Sequence, residues 1–216
     1  MRRRGVSTRD VEKRLGISRS TLSYWFRKVR LHPRFARRMK IRNKRALIKA
    51  RIGAVKWHNG QKAVRLQQAS HEANMTLSRL DCKNDDIAEL ALALLYLGEG
   101  MKTSGTALGN SDPLILRFFI KMIQRLYQVE SADIKCELHL RADQDPIQLT
   151  RYWSKMLKVP IANFRKPSID KRTIGRPTYA HYKGVCIVTC GRVAIQRKLV
   201  YIAATFCNKV IGQVGG

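Results

Sequence analysis

Leu92-Ala93-Leu94-Leu95-Tyr96-Leu97-Gly98-Glu99-Gly100 is the stretch on which the fold turns, an apolar run that ends in one carboxylate held between two glycines. Upstream, Ile87, Ala88, Leu90 and Ala91 extend the apolar character almost all the way round a helix, as expected of one buried on more than one side. The run is well short of the roughly 20 residues needed to cross a bilayer, so it reads as a core or interface helix. Ala91, Ala93 and Gly98 are small enough to let a second helix backbone approach. Glu99 is the anomaly, because a carboxylate at the negative end of a helix dipole is unfavourable unless a cation, metal or proton offsets it.

The chain has 216 residues and a net charge of +28, unevenly distributed. Residues 1–80 hold 23 basic and 3 acidic residues, whereas residues 81–216 hold 20 and 12. With 44% hydrophobic residues the chain is not disordered, so the charge implies a polyanionic partner, nucleic acid ahead of an anionic membrane. Met1-Arg2-Arg3-Arg4 is followed by Gly5-Val6-Ser7-Thr8-Arg9-Asp10 with no apolar stretch, so no export signal is expected. Cys82, Cys136, Cys186, Cys190 and Cys207 form no Cys-x-x-Cys pair and are odd in number, which suits reduced thiols in the cytoplasm, at the nucleoid. Cys186 and Cys190 would share one face of a strand, but zinc needs two more ligands that no nearby spacing supplies.

Residues 1–32 read as a DNA-reading head. Ser7 caps a helix over Thr8–Leu15, Gly16 ends it, and Ser18 caps a second helix from Arg19 to about Val29. Val11, Leu15, Ile17, Leu22 and Trp25 are spaced to bury one side of the pair. Arg19, Ser20, Thr21, Ser23, Tyr24, Arg27 and Lys28 are then left to face a major groove. The segment Arg14-Leu15-Gly16-Ile17-Ser18-Arg19-Ser20-Thr21-Leu22-Ser23-Tyr24-Trp25 resembles the helix-turn-helix of resolvases and many bacterial regulators. Glu12 departs from that pattern, which usually has a small residue at the crossing.

Residues 33–80 read as a basic connector of one helix or two, with Gly53 and Asn59-Gly60 as candidate breaks. Its first half, including Arg37, Arg38, Lys44 and Arg45, has no balancing acid before Glu72, so phosphate contact is its expected use. His58 and His71 are too far apart for a helical metal pair, and Trp57 suits a core or a stacking role equally.

Residues 81–216 read as mixed α/β. After the apolar helix comes a strand or hairpin (about 101–110), a helix Pro113–Tyr127, a strand Ile134–Arg141, a helix Pro146–Leu157, a short strand (about 161–167), a strand Gly184–Cys190 and a helix Val193–Phe206. Alternation turns Cys136, Leu138 and Leu140 inward and Lys135, Glu137, His139 and Arg141 outward. His139 and Arg141 on that polar face are candidate DNA contacts.

The apolar stretch resembles the helix that names the LAGLIDADG homing-endonuclease family, in single-motif form. Glu99 falls on its last acidic position and Gly100 on its final glycine, while Leu94 and Leu97 replace the first glycine and first acid. Tyr96-Leu97-Gly98-Glu99-Gly100-Met101-Lys102, Asn110-Ser111-Asp112-Pro113 and Arg151-Tyr152-Trp153-Ser154 behind a helix-turn-helix resemble a bacterial group of LAGLIDADG-like proteins. The resemblance implies an α+β fold, with an all-α N-terminal part and then an α/β domain built on a mainly antiparallel, saddle-type sheet. A helix at 146–157 is extra to that arrangement.

The resemblance also implies function. With one motif copy, it implies a homodimer through Ile87–Gly98, Glu99 and its symmetry mate as ligands of Mg²⁺, and phosphodiester hydrolysis in double-stranded DNA. Lys102 is the nearest base in sequence, and Lys166, Lys171 and Arg172 are loop candidates for stabilising the transition state. The alternative is a regulator on the same fold that binds DNA without cutting it. An RNA-binding protein ranks third, because the strands carry few aromatic residues for base stacking.

Overall fold

The structure, a computed structural model, describes residues 1–102 and 105–214 and divides into two compact units, Met1–Ser78 and Arg79–Gly216. Its class is α+β: N-terminal helices and one long helix, then a five-stranded, mixed but mostly antiparallel sheet with interspersed helices. Among the described residues, no helix is long and apolar enough to cross a membrane.

In the first unit, α1 (Thr8–Leu15) begins at the Ser7 cap, whose hydroxyl accepts the Asp10 amide, and ends at Gly16 in the left-handed conformation. Ser18 accepts the Thr21 amide and starts α2 (Arg19–Trp25), which tightens into a 3-10 turn at Phe26–Lys28 instead of continuing to Val29. Val11 and Leu22 are buried as expected, but Leu15 is 50% exposed and Trp25 56% exposed. Phe26, four residues after Leu22 and so on the same face, is partly buried in the place that spacing assigns to Trp25.

α3 (Pro33–Leu77) is one continuous 45-residue helix, so neither Gly53 nor Gly60 breaks it. A glycine costs only about 1 kcal/mol in a helix, which a long helix absorbs. Its first turns meet the head, where Phe35 lies against Gly5 and Met39 near Arg2. None of its residues is buried.

In the second unit, α4 (Asp85–Glu99) starts at Asn84, whose side chain accepts the Ile87 amide. It leads into β1 (Gly100–Met101) and β2 (Ala107–Asn110); of the expected hairpin, residues 103 and 104 lie outside the described residues. α5 (Pro113–Tyr127) and α6 (Pro146–Leu157) both start from an Asp cap with proline in the first turn. β3 (Lys135–Arg141), β4 (Ser168–Asp170) and β5 (Val185–Thr189) complete a sheet in the order β1-β2-β5-β3-β4. Of the pairings between these five strands, β3–β4 is parallel and the others are antiparallel.

In the second unit, two boundaries differ by more than one residue from the sequence reading. The fourth strand is displaced from 161–167 to 168–170, because buried Asn163 holds a 3-10 turn at Ile161–Asn163 by donating to the carbonyls of Ser131 and Ile134. Pairing in 161–167 is reduced to an isolated bridge between Phe164 and Cys136. The terminal helix α7 (Val193–Val214) runs past Phe206, since nothing before Gly212 disfavours a helix.

The core lies between the sheet and its helices. Cys136, Leu138 and Leu140 of β3 face it with Cys186 and Val188 of β5, and Trp153 of α6 is buried while its indole donates to the Lys183 carbonyl. The helix extra to the resemblance is therefore part of the core. Cys186 and Cys190 are both buried, and the bond to Cys136 together with burial pushes the Cys186 thiol far above its ordinary value.

Candidate functional site

Glu99 is the last residue of α4 and is exposed. Tyr96, one turn earlier, is fully buried and its hydroxyl closes the hairpin, donating to the Met101 carbonyl and accepting the Ala107 amide at 3.3 Å. Burial raises the Tyr96 phenol above its ordinary value, so it stays protonated as the donor that this arrangement needs. Gly100 makes the exit from α4 possible, because a Cβ there would lie 2.4 Å from the Tyr96 carbonyl oxygen.

Two side chains account for the polar groups around the carboxylate. Asn110 donates from Nδ2 to Glu99 Oε2 at 3.2 Å, and Lys102 donates from Nζ to the Leu97 carbonyl at 2.8 Å. Lys102 thus offsets the negative helix end directly, at the carbonyls instead of at Glu99. Asn110 is the residue that sequence reasoning did not single out, although it opens the Asn110-Ser111-Asp112-Pro113 segment. Among the described residues, no three His, Cys, Asp or Glu side chains cluster as metal ligands within one copy.

α4 packs against α7, α5, β1 and β2, and among the described residues it leaves one stripe uncovered. Ala88, Leu92, Ala93 and Tyr96 are buried, with α7 packed against α4 and joined to it by a Lys198–Glu89 ion pair at 2.5 Å. Ala93 therefore faces its own core and not a helix of another copy. Ile87, Ala91, Leu94 and Gly98 form an exposed stripe at helical spacing that leads to Glu99, and no atom of the described residues lies within 4 Å of a Cβ placed on Gly98.

The remaining basic candidates lie elsewhere on the sheet. Lys171 and Arg172 follow β4, the edge opposite β1, and four strand spacings correspond to roughly 19 Å. Arg172 is held by Asp170 at 2.9 Å, an interaction that keeps the Asp170 carboxyl below its ordinary value. Lys166 is exposed in the segment before β4. His139 and Arg141 do point outward on β3, as expected. His139 Nε2 lies 3.3 Å from Glu137, and Arg141 donates to Thr178 Oγ1 at 2.7 Å and to the Arg176 carbonyl at 3.0 Å. Both line an open cavity of about 920 Å³ together with Lys171, Arg172, Tyr179 and Tyr182.

In the first unit, Arg19, Ser20, Thr21, Ser23, Tyr24, Arg27 and Lys28 are all exposed. Glu12, at the crossing, accepts from Arg19 Nε at 3.1 Å and Nη2 at 3.0 Å, so its length is used to hold the start of α2. Arg37, Arg38, Lys44 and Arg45 are exposed along α3.

No family model, curated protein or solved structure matches the chain.

Proposed function

We propose that the protein binds double-stranded DNA as a homodimer and cuts it at a two-fold site, in the manner of the LAGLIDADG endonucleases that its apolar helix resembles. The observation that carries this reading is the uncovered stripe Ile87, Ala91, Leu94, Gly98, open to a second helix backbone and ending at Glu99. Two such stripes packed about a two-fold axis bring two Glu99 carboxylates together.

The ligand chemistry is compatible with Mg²⁺, since the two Glu99 carboxylates are hard oxygen donors. The ion would supply activation of water and stabilisation of charge on the phosphoryl group. Asn110 orients Glu99 through its amide, and Lys102 holds the carbonyl end of α4. The exposed α2 residues serve to read base edges and the basic half of α3 to grip phosphates.

A second reading, a regulator that binds without cutting, is favoured by the engagement of Lys102 with the Leu97 carbonyl, which leaves the site without a free neighbouring base on that residue. One experiment separates the two. A randomised plasmid library is incubated with purified protein in Mg²⁺ or chelator, at fixed salt, beside Glu99→Gln. Metal-dependent cuts at a recurring site, lost in the variant, are the expected result; specific binding without cuts identifies the regulator, and cuts by Glu99→Gln equal to those of the parent overturn the role of Glu99.

A further inference from the structure

α3 carries a second unpartnered face, independent of the α4 stripe. Arg45, Ile48, Ile52, Val55, Asn59, Lys62, Leu66, Ala69, Ala73 and Thr76 follow one another at alternating intervals of three and four, the spacing of a coiled-coil seam. No residue of α3 is buried, and Ile52 and Leu66 are 65% and 60% exposed. The seam is asymmetric along its length. Large aliphatic residues occupy its first half, alanines its second, and two polar residues its middle.

We propose that two copies of the chain pair through this face with their α3 helices antiparallel, about a two-fold axis crossing between Gly60 and Gln61. The layers then match by size: Ile48 with Ala73 of the second copy, Ile52 with Ala69, Val55 with Leu66. Asn59 meets Lys62, so that the amide oxygen accepts from the ammonium group. Outside the seam, Arg51 faces Glu72, the one acidic residue of α3, and the pair occurs twice by symmetry.

Parallel pairing does the opposite. It sets Ile48 on Ile48 and Ala73 on Ala73, stacks Lys62 on Lys62 and Arg45 on Arg45, and brings Arg51 beside Lys56 and Lys44 beside Lys49. The antiparallel arrangement retains one like-charge neighbour when His58 is protonated, His58 with Arg65. It also moves the two basic N-terminal halves to opposite ends of the pair. At a rise of 1.5 Å per residue, the two Pro33 residues, where the reading heads join α3, lie about 80 Å apart along the axis. That distance is roughly 24 base pairs of B-DNA at 3.4 Å per step.

The test is disulfide trapping in the full chain with Cys82→Ser and Cys207→Ser, leaving the buried thiols in place. The double variant Ile52→Cys with Ala69→Cys is oxidised mildly at low concentration and run on a non-reducing gel. A covalent dimer is expected from the double variant and none from either single variant, because like positions are then about 25 Å apart. Dimers from the single variants indicate parallel pairing and overturn the proposal. A cross-linked monomer, meaning a helix folded back on itself, overturns it as well, and so does the absence of any cross-link.

Charge gives an independent reading. Arg51→Glu lowers the dimer yield several-fold, and adding Glu72→Arg restores it; failure of that rescue counts against the antiparallel register. Leu94→Glu, on α4, leaves the yield unchanged, so loss of the α4 interface and loss of the α3 pair are told apart.

Discussion

Asn110 joins Glu99 to the start of the next helix: its Nδ2 donates to Glu99 Oε2 at 3.2 Å while its Oδ1 accepts the Asp112 amide at 2.8 Å. Asp112 in turn caps α5 by accepting the Leu114 amide. One amide side chain thus fixes the carboxylate and the loop that follows β2. Replacement of Asn110 by Ala removes both bonds, each with a net worth of about 1 kcal/mol, so a loss of about 1–2 kcal/mol in urea unfolding is expected. Under the proposed function, DNA affinity is retained and single-turnover cutting falls about tenfold, the equivalent of about 1.4 kcal/mol in the barrier.

The two glycines that flank Glu99 have opposite requirements. Gly100→Ala forces a Cβ against the Tyr96 carbonyl and is expected to destabilise the fold by about 1–3 kcal/mol, read as a lowered melting temperature. Gly98→Ala meets nothing among the described residues of its own chain and gains up to about 1 kcal/mol of helix propensity. Under the proposed function, sedimentation of Gly98→Ala over a concentration series is expected to show weaker association all the same, because the methyl group would stand in the path of the second copy's helix. Unchanged association would remove Gly98 from the interface.

Glu89 contributes to acid sensitivity. Burial raises its carboxyl, but the bonds from Lys198 and Tyr127 outweigh that and leave it below the ordinary glutamate value. A lowered folded value adds stability that is present above the unfolded value and is lost as pH falls through the folded one. Glu89→Gln is therefore expected to flatten the acid limb of stability against pH, measured by urea unfolding from about pH 6 down to about pH 3, the range bracketing an ordinary glutamate. An unchanged acid limb would mean that other carboxylates dominate it.

Under the proposed function, DNA affinity should divide into two separable parts. Replacing Arg37, Arg38, Lys44 and Arg45 by Ala is expected to reduce the slope of log affinity against log salt by about 3.6, at roughly 0.9 for each phosphate no longer neutralised. Replacing Ser20 and Thr21 leaves that slope and erodes the preference for the best site. A slope unaffected by the four substitutions would show that α3 does not lie on the phosphates.

Local chemistry made most of the second unit legible. Asp112-Pro113 and Asp145-Pro146 start their helices where a cap and a first-turn proline require, and the alternation of Cys136, Leu138 and Leu140 orients β3 correctly. What sequence could not supply was set by neighbours distant along the chain. β4 lies where parallel pairing with β3 becomes available beyond the Asn163 turn, and Ala93 points inward because α7 covers that side of α4. Leu15 and Trp25 read as core by spacing alone, yet the small α1–α2 pair leaves both exposed. At the candidate site, Glu99 was visible as a charge in an apolar context, whereas the bond from Asn110 depends on how the hairpin closes.

The five-stranded sheet ends in a two-residue strand at one edge and a three-residue strand at the other. Edges this short present few unpaired backbone groups, so they are poor templates for a strand from another chain. Self-association by sheet extension, the route by which many β-containing proteins aggregate, is thereby closed off. Under the proposed function, recognition between copies of this chain falls to side chains on helices, where register and partner are chosen residue by residue.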